Sequence, residues 1–528
     1  MGKISLLDCT LRDGGYINDW NFGKEAIIGI GDKLSNTGVE YFELGFLKGD
    51  SYDENKAMFP DIKSIENVLK PKHDNLKYVG MLDMSSPIDK KCITVYDNKS
   101  LDMIRVIFKK GKIDLAIEYG NYIKQKGYKL SMNIGSTDQY NDEELIDVID
   151  KLNAMCPDCV AIVDTFGLIK KKMFLHLVKV INDNLKNGIA LGYHAHNNLQ
   201  HAFSNAESLA EMKLNRDVII DACVFGMGRG AGNLNLELFC DYLNENHDTH
   251  YNVKPILEIM DEYLLDIYKN RFWGYSLPLY ISAVKGCHPN YAIYYGERSS
   301  LTLKALDDII STISNDDKKI YKSDTAKQYY MNYLDNEVDD SIVLAELESI
   351  FTNRNIVVLG PGNSLNEQKE KLKKYIKDNN SIVVALNFIA EEFNPDFIFS
   401  SNMRRFKKIQ NNTKTKCIIT SNMIEATQKD YVINFKSYQA NDINIIDNAG
   451  IMFLKLLRRL GIKEVSLAGL DGYVLNGQNV YYDKKVSFDF TKEALLRNKL
   501  IKEEIDNIRK DMNIKFLTPS IYNLEILE

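Results

Sequence analysis

At 528 residues the chain has room for three or four domains of about 150 residues each, which excludes a single small binding module. Hydrophobic residues make up 45% and charged residues 26%, a globular balance that excludes disorder, coiled coil or collagen-like organisation over most of the length. The 66 Lys and Arg stand against 73 Asp and Glu, a net charge of -7 that lacks the basic excess nucleic acid binding demands.

Met1 to Asp8 runs straight into a strand-like stretch without the charged, apolar and small-residue regions of a secretory signal. No apolar run approaches the roughly 18 residues of a membrane span. A cytoplasmic chain without membrane association is expected, and a homo-oligomer. The eight cysteines are scattered, and their one close pair, Cys156 and Cys159, lacks the second pair of a four-cysteine zinc site. The two read as reduced thiols in a turn entering a strand.

From the amino terminus, β-branched runs alternate with amphipathic helical stretches, the pattern of βαβ units around a parallel sheet. Eight runs are expected as strands: Ile4 to Thr10, Tyr41 to Phe46, Lys77 to Leu82, Met103 to Phe108, Lys129 to Ile134, Cys159 to Thr165, Ala190 to His196 and Val218 to Phe225. Eight strands in about 250 residues suit a (β/α)8 TIM barrel better than an open sheet. This barrel is assigned to residues 1–255 and a helical extension to 256–352. A second, Rossmann-like α/β domain is assigned to 353–528, beginning with a short strand at Ile356 to Leu359 and a lysine-rich helix from Asn366 to Lys377.

A barrel gathers its chemistry at the carboxyl ends of its strands. His194 and His196, two apart at the end of the seventh run, share a face and can place two imidazoles on one ion. Asp13 lies just beyond the first run, which only the eighth separates from the seventh in a closed barrel, so a carboxylate can join them. Asn233, after the eighth run, can add a neutral oxygen. Two nitrogens with one or two oxygens suit a divalent ion with open positions, Mn or Mg ahead of Co or Zn. Such an ion can chelate a 2-oxo acid and act on the charge that develops when the α-carbon bond breaks. Arg12 is a fixed cation able to hydrogen-bond the resulting enolate oxygen.

Three segments then carry a resemblance: Leu7-Asp8-Cys9-Thr10-Leu11-Arg12-Asp13-Gly14, Gly192-Tyr193-His194-Ala195-His196-Asn197-Asn198, and Gly226-Met227-Gly228-Arg229-Gly230-Ala231-Gly232-Asn233. Together they resemble signatures of the DRE-TIM metallolyases, the HMG-CoA lyase-like superfamily, over roughly residues 1–300, nearest its 4-hydroxy-2-oxovalerate aldolase branch. The resemblance implies a TIM barrel with Asp13, His194 and His196 as metal ligands, Asn233 as a fourth or outer ligand, and Arg12 as the enolate-stabilising group. It also implies Glu43 as the residue that orients Arg12. Asp164 and Thr165 match the Asp-Thr strand ending that stands near substrate in the superfamily, and read equally as a hydrogen-bonded strand terminus. The aldolase branch has a histidine shortly after its arginine-aspartate pair, where this chain has Gly15, Tyr16, Ile17, Asn18 and Asp19. Tyr16, Asp19 or a water on the metal is left as the general base, with Tyr16 reading equally as a packed aromatic. Carboxyl transfer is disfavoured, because the fifth run has no lysine near its carboxyl end. A Claisen-type acyl-CoA synthase, or a degraded barrel attached to a transferase-like domain, stays as an alternative to the aldolase.

In the second domain, Gly360 and Gly362 at a strand-to-helix turn permit close approach of a phosphate to backbone N–H groups. The loop lacks the third glycine of a dinucleotide fingerprint and the Gly-Lys-Ser/Thr of a P-loop. Gly360-Pro361-Gly362-Asn363-Ser364-Leu365 and Ala468-Gly469-Leu470-Asp471-Gly472-Tyr473 loosely resemble loops of Rossmann-like nucleotide-sugar transferases of surface-polysaccharide pathways. That resemblance implies a nucleotide or nucleotide sugar contacted by Asn363 and Ser364, and a chain joining carbon-bond chemistry to glycan precursor metabolism. An inert domain that uses the glycines only for turns is the alternative.

Overall fold

The computed structural model describes residues 2–49, 51–69, 72–298, 300–474, 481–482 and 493–523. The chain divides into two compact units, Met1–Ile293 with Lys318–Ile320, and Tyr294–Asp317 with Tyr321–Glu528. The helical stretch that follows the last barrel strand runs from Lys254–Ile259 to Ser341–Phe351 and is shared between the units. Among the described residues no helix is long and apolar enough to cross a membrane.

In the first unit eight barrel strands pair in parallel, with a two-residue strand, Met58–Phe59, added beside the second: β1 (Ile4–Asp8), β2 (Tyr41–Leu47), β3 (Lys77–Asp83), β4 (Met103–Phe108), β5 (Lys129–Ile134), β6 (Cys159–Asp164), β7 (Ala190–Ala195) and β8 (Val218–Ala222). Their order is β1-β8-β7-β6-β5-β4-β3-β2, and β2 pairs back onto β1 to close a TIM barrel. Strands covered on both faces read as continuous apolar runs, as in Val160 to Val163, all buried. The helices between them bury one stripe each. Asp142–Met155, opened by a capping box of Asn141 and Glu144, buries Leu145, Val148, Ile149 and Leu152 at helical spacing.

Four strands, β1, β6, β7 and β8, end earlier than the runs expected from sequence, and for β1 the reason bears on the site. After Asp8 the chain breaks into one helical turn, Thr10–Asp13, because the Thr10 hydroxyl donates to Asp8 at 2.6 Å and accepts the Val224 N–H at 2.9 Å. That turn carries Arg12 and Asp13, both buried, beyond the end of β1. Cys156 sits in a left-handed helix cap and Cys159 begins β6, both as free thiols.

The second unit holds an open, all-parallel sheet: β9 (Ile356–Leu359), β10 (Ile382–Leu386), β11 (Phe397–Ser400), β12 (Lys416–Thr420), β13 (Tyr431–Ile433), β14 (Glu464–Ala468) and β15 (Asn513–Phe516). The order is β13-β12-β11-β10-β9-β14-β15, so the direction of winding reverses between β9 and β14. In open α/β sheets such a reversal opens a crevice beyond the strand ends. The edge strand β15, four residues and half exposed, carries too little apolar signal to be expected from sequence.

Candidate metal centre at the barrel mouth

The site is built on a ring of buried charged side chains. Arg12 Nε donates to Glu43 Oε2 at 2.7 Å, and Glu43 Oε1 accepts from Arg105 at 3.2 Å. Arg105 reaches Asp221 at 2.5 Å, and the same Asp221 oxygen lies 3.0 Å from His194 Nδ1. His194 Nε2 lies 2.9 Å from Asp13 Oδ2, which is 3.4 Å from Arg12 and closes the ring. Each member is 5% exposed or less. Glu43, Arg105 and Asp221 come from β2, β4 and β8, the alternate strands that fill one layer of such a barrel. Arg105 therefore crosses the lumen between β4 and the opposed β8. A bulge between Glu43 and Gly45 shifts the register of β2 at the acid that meets Arg12.

Burial pushes Asp13 up, but His196, Arg12 and His194 outweigh it and hold the carboxyl well below its ordinary range. For His194 burial works downward, while hydrogen bonds to Asp13, Asp221 and Cys9 overcome it and raise the imidazole. His196 has no such pair, and burial depresses it to about 3. Burial also opposes the charge of Arg12, and Glu43 and Asp13 restore it.

Asp13, His194 and His196 each offer one ligand atom within 4.8 Å of the others. His196 Nε2 lies 3.6 Å from the Asp13 oxygen that His194 approaches. The isolated bridge between His196 and Asn233 brings the loop after β8 to this strand end. Asn233 donates to the Met227 carbonyl at 3.0 Å, in space that a side chain on Gly228 would fill. Its Oδ1 is buried without a hydrogen-bond partner, as are Asp13 Oδ1 and His196 Nδ1. Buried acceptors without donors are costly unless a cation or water completes them, so this set fits a divalent ion. A second group, Cys9, His194 and Asp221, fits poorly. Burial pushes the Cys9 thiol up, and Asp221 Oδ2 already takes Arg105 and His194.

The other expected residues fall on the rim or in its supports. Tyr16 is 39% exposed, edge-on to Trp20 and Phe46, with the Arg229 guanidinium 5.0 Å from its ring centre. Asp19 faces Arg271 at 3.3 Å on the exposed rim. The Asp164 carboxylate accepts the Leu168 and Ile169 N–H groups at 2.8 and 2.9 Å, and burial pushes it up to about 7. Thr165 accepts the Ser136 N–H at 2.8 Å. Both thus have partners in the loop after β6 and its neighbour. Sequence reasoning missed Arg105 and Asp221, whose signal was a charge at an inward position of an otherwise apolar strand. The His288 ring stands edge-on to Phe166 at 5.3 Å, beside the mouth.

In the second unit, Gly360, Gly362 and Asn363 line a cavity of about 440 Å³ beyond the ends of β9 and β14. Ser364 is engaged by Asp471, which lines the same cavity: its N–H goes to that carboxylate at 2.9 Å and its hydroxyl to the other oxygen.

The HMGL-like family matches residues 3–262. A 4-hydroxy-2-oxovalerate aldolase of Geobacillus genomosp. 3 is 26% identical over 267 residues, 50% of this chain and 77% of that protein. Another, of Chloroflexus aurantiacus, is 25% identical over 242 residues, 45% and 68% of the two lengths. Among solved structures, the HMG-CoA lyase of Brucella melitensis aligns at 16% identity with a TM-score of 0.41, over 51% of this chain and 99% of that one. With the three strand-end segments meeting at one mouth, these matches relate the barrel of this chain to the HMGL-like family and the DRE-TIM metallolyases.

Proposed function

We propose that the barrel is a divalent-metal-dependent aldolase that works through the enolate of a pyruvate-type 2-oxo acid. The observation that carries this reading is the meeting of Asp13, His194 and His196 beside the buried Arg12. Manganese or magnesium, held by these three with Asn233 as a further oxygen, would supply Lewis acidity toward the keto oxygen of the substrate. Arg12 is held in place by Glu43, so its remaining N–H groups are positioned for the oxygen that gains charge as the α-carbon bond breaks.

The charge of the ring supports an anionic substrate. Two guanidinium groups against three carboxylates leave one net negative charge when His194 is neutral, and a divalent ion turns that into one net positive charge. Arg229, whose buried Nε lacks a hydrogen-bond partner, is suited to the substrate carboxylate. Tyr16, under Arg229, is preferred to Asp19 for proton transfer, because Asp19 is engaged with Arg271 at the rim. For Asp164 and Thr165 the hydrogen bonds within the loops favour shaping the substrate wall over direct contact.

The test is solvent deuterium uptake into the methyl group of pyruvate, followed by NMR with manganese or magnesium added. Exchange by the wild-type chain that His194→Ala and Asp13→Asn both lose is the expected result. A chain that takes up metal and exchanges nothing sinks the reading.

For the second unit the proposed ligand is a nucleotide or nucleotide sugar, which would tie the chain to glycan precursor metabolism. What supports it is the position of the cavity where the winding of the sheet reverses.

A further inference from the structure

The glycine loop of the second unit is already filled by the protein. Gly360 donates its N–H to the Ala468 carbonyl at 2.8 Å, and Gly362 to Gly469 at 2.7 Å. A side chain on Gly360 would strike the Gly469 carbonyl, and one on Gly362 would strike the Asp471 carboxyl. Gly469 itself has φ +69°, in the left-handed region that glycine favours. These glycines are thus explained by the contact of two strand ends and by Asp471, which takes the Ser364 N–H where a phosphate would otherwise sit. This wall is also acidic, since Asn363 donates to Glu367 at 2.9 Å.

The cations of the cavity come from other elements. Arg298 lies over the rings of Tyr294 and Tyr330, at 4.0 and 5.0 Å from their centres. Arg405 is on the helix Met403–Ile409 that follows β11, and Arg497 is on the helix Ala494–Ile508. All three line the cavity. Asp447 and Tyr473 both lie within electrostatic reach of Arg405 and Arg497, and burial pushes the Asp447 carboxyl up, toward its uncharged form. The remaining surface includes Ile443, Ile451, Leu454 and Ile501 beside Tyr473, room for an apolar or planar body. At about 440 Å³ the cavity falls in the size range of small-molecule sites.

We infer that this cavity receives a nucleoside phosphate whose phosphate is held by Arg298, Arg405 and Arg497, not by the glycine loop. The inference rests on the reading of the second unit as a nucleotide-binding domain and reverses the orientation that the glycines alone suggest. Guanidinium groups bind phosphate oxygens through paired charge-assisted hydrogen bonds, which a sealed backbone turn cannot offer.

Calorimetric titration of the full-length chain with uridine diphosphate, adenosine diphosphate, uridine and inorganic pyrophosphate tests it. A nucleoside diphosphate should bind, and pyrophosphate should displace it. Arg405→Met and Arg497→Met should each weaken binding about 10–100-fold, the loss of one charge-assisted interaction. Should a Met variant fail to unfold cooperatively, Arg405→Lys and Arg497→Lys keep the charge and the stem, and a smaller loss of affinity is expected from them. Arginine variants that bind the diphosphate as wild type does overturn the placement of the phosphate and leave the nucleotide reading intact. Uridine binding as tightly as its diphosphate overturns the placement equally. A wild-type chain that binds none of the probes removes the nucleotide reading itself.

Discussion

Asp221 accepts the Nδ1–H of His194 at 3.0 Å through the oxygen that Arg105 also holds at 2.5 Å. This fixes the imidazole in the tautomer that presents Nε2 to Asp13, the arrangement a metal-binding histidine needs. In Asp221→Asn, Arg105 claims the amide oxygen and the amide N–H meets Nδ1, favouring the wrong tautomer. Manganese affinity should fall about 10–100-fold by calorimetry, with the circular dichroism spectrum unchanged. Unaltered affinity would separate Asp221 from the metal centre.

Arg105 bridges two acids that have no other guanidinium in common, so its removal leaves Glu43 and Asp221 buried with one charge fewer between them. Arg105→Met should cost about 3–5 kcal/mol in urea unfolding, the penalty for an uncompensated buried charge. The triple change Arg105→Met, Glu43→Gln, Asp221→Asn should be less destabilised than that single change.

Arg12→Lys keeps a positive charge but loses the fork that reaches Glu43 and Asp13 together. Pyruvate deuterium exchange should drop about 10²–10³-fold while manganese affinity stays within a few-fold. Equal losses in both would assign Arg12 to the ion rather than to the substrate oxygen.

Tyr16→Phe keeps the edge contacts with Trp20 and Phe46 and removes only the hydroxyl. If Tyr16 moves the proton, exchange should fall about 10²-fold or more with metal affinity preserved. Full exchange in this variant would return the task to Asp19 or to water.

Burial depresses His288 to about 3, with Arg229, Lys109 and His196 adding to the effect, whereas an unfolded histidine titrates near 6.5. The folded chain then binds fewer protons between those values, so the stability His288 contributes is present above pH 6.5 and is lost as pH falls toward 3. The slope is at most about 1.4 kcal/mol per pH unit. Unfolding midpoints measured between pH 7 and 5 should fall less in His288→Gln than in wild type; parallel curves would contradict the assignment.

Much of the barrel was legible because strands covered on both faces write themselves as apolar runs, and all eight runs became strands. The clustering of three side chains was legible for a local reason: His194 and His196 are two apart at one strand end, and Asp13 closes the first turn after β1. Arg105 and Asp221 were not, because their meaning depends on a partner across the lumen, which no local pattern records. Of the glycine loop only the tight turn was legible. Gly360 and Gly362 do mark a close approach, as expected, but what approaches is Gly469 and Asp471, more than a hundred residues away.

The ring at the mouth has a bearing on how this barrel can diversify. Its six members are spread over five strands or strand ends, and each holds the next, so two of the groups that would bind the ion, Asp13 and His194, are also rivets of the cylinder. Exchanging any one of them to suit a new reaction would loosen the wall as well as the chemistry. Tyr16, Arg229 and His288 carry no such double duty in the ring. Altered substrate preference should therefore accumulate among those rim residues, with the floor beneath them left as it stands.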